Sequence, residues 1–340
     1  MIRLHYYDNA KFFLIISVIL GHLLQNNGML DRVSVGIFDT IFMYAMPAFV
    51  FISGVFSPPK SDYNIREKLT NVKFFLSELG LVETMIIFSL IMKLPVLIES
   101  GMSLYEILLP GYTLWYLLAL VWWRLFVYLL PQNFIKHKHI LIIFSVLISL
   151  FSGYSIRGEL IALPRTLFFL PYFVVGFCVS DKREQIVSTL KRIPIIVALL
   201  IIVCVLILNI CVGYNQLPFN TGNVPYYKWE MGIFDALLWR LIFKVLCIIV
   251  YVSVLRIIPS KQTFISEFGA KTIVLYVYHA IILFFVNILF EQYGLPVSIF
   301  FAFMEFIVIV PVLMLISKSK IANALISPIS KLINKIKYEK

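Results

Sequence analysis

The chain has 340 residues, 61% of them hydrophobic and only 14% charged, with a net charge of +11 and a mean hydropathy of +0.94. A soluble domain carries about a quarter charged residues. Soluble folds are therefore excluded, and with them any basic domain able to hold a nucleic acid. The four cysteines (Cys178, Cys204, Cys211, Cys247) lie in or at the ends of apolar segments. They match neither a zinc site nor a disulfide framework, so no metal is expected.

Inside lipid only helices satisfy every backbone donor and acceptor within one segment, and about 17–25 apolar residues cross the hydrocarbon. The runs predict an all-α polytopic membrane protein of about ten transmembrane helices. They fall at 8–25, 37–56, 74–97, 112–130, 139–152, 163–180, 193–213, 232–257, 271–290 and 296–317. The first run follows His5, Asp8 and Lys11 and lacks a small-residue cleavage site, so it reads as a retained helix rather than a signal peptide.

Loops on one side carry Lys60, Arg66, Lys68 and Lys73, then Lys136 and Lys138, then Lys182, Arg183, Lys191 and Arg192, then Arg256 and Lys261. The alternate loops hold Asp31 with Arg32, Glu99 with Glu106, Arg157 with Glu159, Lys228 with Glu230, and Glu291. By the positive-inside rule both termini are expected in the cytosol, with the chain multi-pass in the cytoplasmic membrane. Residues 1–317 form the ten-helix domain. In the tail, 318–340, Ile321, Leu325, Ile329, Leu332, Ile333 and Ile336 recur at helical spacing among lysines. This predicts an amphipathic helix on the anionic inner leaflet, split by Pro328.

Ionisable residues in hydrocarbon are costly and mark function or pairing. They are His22, Glu83, Arg124, Arg165, Arg240, Lys244, His279 and Glu305, with Asp39 near the start of span two. So many imply a polar cavity. Lys11 and His22 lie eleven residues apart, about 16 Å along a helix and on nearly the same face. An imidazole accepts a hydroxyl proton near neutral pH, which suits a base in acyl transfer. Glu83 and Glu305 are expected to pair with basic groups in the bundle.

Several stretches together resemble acyltransferase family 3. Lys11, ten residues and then His22 resemble its Arg/Lys-x10-His signature. The segment MPAFVFISG, Met46 to Gly54, is similar to a stretch of the fucose 4-O-acetylase-like branch. So are LWYLLAL from Leu114, RTLFFLPYFVVG from Arg165 to Gly176, and GAKTIVLYVYH from Gly269 through Tyr276 to His279. Two departures stand out. Ala45 occupies a place where the branch often has His, and Arg66, Lys68 and Lys73 lack the usual spacing of a basic pair.

The resemblance implies a ten-helix O-acetyltransferase of the lipid bilayer. Acetyl-CoA would enter from the cytosol and the acceptor would be a surface or lipid-linked glycan. His22 would be base or acetyl relay, Lys11 would meet CoA phosphates, and Asp8 would orient Lys11. Arg66, Lys68, Lys73, Arg165 and His279 would contribute to donor binding. Asp39, Trp115, Tyr227 and Trp229 would face the saccharide, with Tyr214 and Tyr226 also available. A transporter or flippase for glycolipid or polysaccharide precursors is the rival reading. The inverted repeats and paired Gly/Pro-broken helices of such folds are not found in the sequence.

Overall fold

The computed structural model describes residues 4–29, 31–57, 65–100, 110, 113–154, 162–212, 222, 224–229 and 231–338. Among them there are helices and no strand. The longer helices are α1 (His5–Asn26), α2 (Arg32–Val55), α3 (Val72–Ser100), α4 (Trp115–Leu129), α5 (Lys138–Phe151), α6 (Leu163–Cys178), α7 (Arg183–Arg192), α8 (Ile195–Val212), α9 (Ile233–Ile257), α10 (Thr272–Tyr293), α11 (Ile299–Lys318) and α12 (Pro328–Tyr338).

An apolar helix stands at each of the ten expected spans. Seven of the described helices (α1, α2, α3, α8, α9, α10, α11) are long and apolar enough to cross a membrane. An eighth follows if α6 and the Ser180–Arg192 segment, bent by 54°, count as one span. The helices at the fourth and fifth positions are apolar but shorter.

α1 and α2 form the centre of the bundle, and their apolar windows are 72% and 83% buried. Lipid tails are as apolar as leucine, so helix association inside a bilayer depends on close packing and polar contacts. α2 and α6 meet through two glycines. A Cβ on Gly54 would lie 2.1 Å from the Phe173 carbonyl oxygen, and one on Gly176 would lie 2.1 Å from that of Phe51. Both glycines end the stretches that carry the family resemblance. Their role is close approach of two backbones.

Polar anchors fix the rest. Asn9, fully buried on α1, donates to the carbonyls of Pro259 and Lys261 at 2.9 Å. Its side-chain oxygen accepts from Thr263 and Ser266. Asn209 donates to Thr40, tying α8 to α2 at 2.9 Å.

Two expected pairings are corrected. Glu83 does not pair with a cation among the described residues. It accepts from the backbone N–H of Ile329 at 2.6 Å and of Ser330 at 3.1 Å, and from the Ser330 hydroxyl at 2.9 Å. A carboxylate at a helix N-terminus satisfies donors that the helix leaves open. Glu305 accepts from the Asn27 amide at 3.0 Å instead of from a basic group. A buried carboxylate not singled out in the sequence, Glu78, is the one that takes a cation, Arg124, at 3.0 Å.

The tail is split at Pro328 as expected. Its second helix is not only amphipathic: its start is docked on α3, where the Ser327 hydroxyl also donates to the Gly80 carbonyl at 2.8 Å.

Candidate active site

Along α1, the residues Lys11, Ile15, Val18 and His22 fall within about 60° of arc at 3.6 residues per turn. Three separate features lie along that stripe, two cavities with no lining residue in common and a pair of imidazoles that lines neither. A cavity of about 920 Å³ opens at the N-terminal end of α1, and Tyr7, Asp8 and Lys11 line it together with Phe56, Lys138, Lys182 and Arg183. A smaller apolar cavity of about 140 Å³ follows, lined by Ile15 and Val18 with Met46, Phe49, Ser53, Tyr116 and Tyr276 among others. Two imidazoles stand next, His22 and His279, with ring centroids 6.0 Å apart and planes inclined by 24°.

The partner helices supply matching stripes. On α2, Phe42 packs edge-on against His22 at 5.7 Å, and Met46, Phe49 and Ser53 continue the line into the apolar cavity. On α10, Thr272 and Tyr276 line that cavity, and the Tyr276 ring meets His279 at 5.4 Å with the planes inclined by 53°. The Tyr276 hydroxyl donates to the Thr113 carbonyl, while Ser53 and Tyr116 share a hydrogen bond of 2.6 Å. These bonds hold the hydroxyls of the cavity wall in place.

Asp8 and Lys11 form an ion pair of 2.9 Å, one turn apart on α1. Gly269 presses on the Asp8 backbone so closely that a Cβ there would lie 1.8 Å from the Asp8 carbonyl oxygen. At this end α6 stops at Cys178 and the chain bends through the turn Ser180–Lys182, which brings Arg183 under α1. The Tyr7 hydroxyl donates to the Arg183 carbonyl at 2.9 Å. The Arg183 guanidinium donates to the Val55 carbonyl at 3.1 Å and lies 4.7 Å from the Phe56 ring centre. Lys138 pairs with Asp181 at 3.4 Å.

At the far end His22 is half-buried, while His279 has no exposure. Neither nitrogen of His279 reaches a hydrogen-bond partner among the described residues. Arg165, half-buried at the start of α6, lies with its guanidinium carbon 5.2 Å from the Trp115 ring centre. It is close enough to act electrostatically on both His22 and Tyr276. A half-buried imidazole, a second imidazole stacked on it and a nearby cation can move a proton and stabilise an oxyanion.

A family model described as an acyltransferase domain, that of acyltransferase family 3, matches residues 4–317, nearly the whole chain. The chain belongs to acyltransferase family 3. The same comparisons find no match among curated proteins or solved structures. The matched region of this membrane acyltransferase includes every helix that lines the two cavities or carries the two imidazoles, and leaves out the docked helix α12.

Of the residues singled out in the sequence, the acyltransferase brings His22, His279, Arg165 and Trp115 into one neighbourhood and Asp8 with Lys11 into another. The others lie elsewhere. Lys68 is buried with its ammonium on the Leu130 carbonyl at 2.9 Å. Lys73 is exposed and does not line the large cavity. Arg66 belongs to the short helix Ile65–Leu69, but its side chain lies outside the described residues, as do Lys60, Arg157, Glu159, Tyr214 and Glu230.

Asp39 is fully buried within α2. Tyr227 is 69% exposed, whereas Trp229 is buried against Arg240. The cavity cations Lys138, Lys182 and Arg183 read in the sequence only as orientation signals. The pair Lys182–Arg183 sits five residues beyond the GF of RTLFFLPYFVVGFC, and that proximity was the available clue.

Proposed function

We propose that this acyltransferase is an O-acetyltransferase of the cytoplasmic membrane, with about ten spans and both termini cytosolic. It takes acetyl from cytosolic acetyl-CoA and delivers it to a hydroxyl of a surface or lipid-linked glycan. The observation that carries the reading is the single stripe of α1 on which Lys11, two cavities and His22 follow one another. The spacing from Lys11 to His22, about 16 Å, is of the order of an extended pantetheine arm.

In this reading the cations of the large cavity, Lys11, Lys138, Lys182 and Arg183, meet the phosphates of the donor. Charge-assisted bonds of that kind are the strong ones. The arm crosses the apolar cavity and presents the thioester near His22. As general base, His22 takes the proton of the sugar hydroxyl while its oxygen attacks the thioester carbonyl. The carbon–sulfur bond breaks and the thiolate recovers the proton from the imidazolium. As relay, His22 itself attacks first, releases CoA and passes the acetyl group to the hydroxyl. Arg165 polarises the carbonyl in either route, His279 buttresses the His22 ring, and Trp115 offers a face to the sugar. Charge alternation in the loops supports the orientation.

The test is transfer of label from acetyl-CoA to glycan in membranes. His22→Ala at normal protein level is expected to lower it by about 10²–10⁴-fold, the usual contribution of a positioned base. Undiminished transfer in that variant would sink the assignment.

A further inference from the structure

Helix α9 carries two cations one turn apart, Arg240 and Lys244, with 1% and 4% exposure. Such i,i+4 neighbours stand roughly 5–6 Å apart at Cβ and repel each other. The Arg240 guanidinium donates through Nη1 to the Ser152 hydroxyl at 2.9 Å. Its carbon lies 4.5 Å from the Tyr226 ring centre, 5.0 Å from Trp229 and 5.1 Å from Phe168. Lys244 donates to the Phe168 carbonyl at 2.7 Å and stands 3.7 Å over that ring.

Among the described residues the Nε and Nη2 groups of Arg240 meet no acceptor in good hydrogen-bond geometry, the Tyr226 phenol being their nearest polar neighbour, and neither cation has a carboxylate partner. Elsewhere in the bundle the corresponding problem is solved by a carboxylate, as Glu78 does for Arg124. Burial holds the Tyr226 phenol above its ordinary value, so it supplies no counter-charge, and its hydroxyl is committed to the Leu150 carbonyl at 2.6 Å.

Keeping two basic groups charged in a low-dielectric interior without a counter-charge is costly, and aromatic faces offset only part of that cost. Two free donors of a guanidinium fork beside an ammonium are the donor set that recognises a phosphate. The cluster lies at the end of the bundle away from the large cavity: Cys178 lines that cavity, and Phe168 is ten residues, about 15 Å, back along the same helix.

We propose that Arg240 and Lys244 form a phosphate-binding site, walled by the turn Tyr226–Trp229 and the start of α6. Its occupant is a phosphate ester, carried by an anionic lipid headgroup or by a lipid-linked saccharide. Phosphate binding here requires no step of acyl transfer, so its failure leaves that reading intact.

The test uses the whole purified protein in detergent. Phosphatidylglycerol, a polyprenyl monophosphate, inorganic phosphate and, as phosphate-free control, diacylglycerol are compared by thermal unfolding and native mass spectrometry. The phosphate lipids are expected to raise Tm by several degrees over the control and to give one-to-one adducts. Apparent affinity should fall at least tenfold in Arg240→Gln and in Lys244→Gln, and less in Arg240→Lys. An equal shift with inorganic phosphate assigns the site to the phosphate itself, and a shift with the lipids alone assigns it to a lipid phosphate. No shift and no adduct with any phosphate probe on the wild type, or unchanged binding in the Gln variants, overturns the proposal. Should Arg240→Gln fail to fold, the wild type and Lys244→Gln decide.

Discussion

The α1–α2 pair and the α8–α11 pair are all long apolar helices, yet they occupy opposite environments. α1 is the least apolar of the seven long candidate spans and is 72% buried, whereas α8 is the most apolar and only 11% buried. α2 and α11 repeat the contrast at 83% and 17%. In a soluble protein the order would be reversed. Here the surrounding medium is hydrocarbon, so the purest hydrophobes face outward, and helices bearing Asp8, Asn9, Lys11, His22 and Asp39 must turn them inward. Within such a bundle, reduced hydropathy is the mark of the working interior.

Substitutions at the two kinds of helix sharpen that contrast. The largest effect on folding is expected at Gly54, where leucine would drive a Cβ into the Phe173 carbonyl. Overpacking against backbone should cost about 3 kcal/mol or more, seen as loss of monodisperse protein on extraction. Leu14, fully buried on α1, should lose about 2–5 kcal/mol on truncation to alanine, read as a fall in Tm. Preserved Tm in Leu14→Ala would break the claim that α1 is the packed centre.

Arg183→Ala tests the large cavity at the N-terminal end of α1. Loss of one charge-assisted contact, about 1.5–3 kcal/mol, should raise KM for acetyl-CoA by roughly ten- to a hundredfold with kcat little changed. The smallest effect is expected for Leu200→Ala on α8, 57% exposed, within about 0.5 kcal/mol. A large destabilisation there would mean that α8 is covered by something other than lipid.

Much of the fold was legible because hydrocarbon leaves little choice. An apolar run of sufficient length becomes a helix, and a helix was found at each expected position. His22, His279 and Arg165 were legible for the same reason, since an ionisable group in such a run needs a cause. What the sequence hid were partners. A lysine in a loop reads alike whether it sets orientation or faces a ligand, so Lys182 and Arg183 were passed over while Lys68, turned toward the Leu130 carbonyl, was put forward. Glu83 was expected to seek a cation because its true partners are backbone groups, and backbone donors leave no trace in a pattern of side chains. The pairing of Gly54 with Gly176 was equally hidden, although each closes a stretch that had been noticed.

The cap that Glu83 places on α12 also bears on how the protein is made. Its acceptor and first donor are 246 residues apart; at about 5–20 residues per second, synthesis of the intervening chain takes roughly 12–50 s. Throughout that interval α3 has been inserted while its carboxylate still waits for the groups that will neutralise its hydrogen-bonding demand. Some transient shelter, water at the membrane boundary or the insertion machinery, must serve until α12 arrives. A fusion or truncation that displaces residues 327–330 would therefore strand an early helix rather than merely trim a late one.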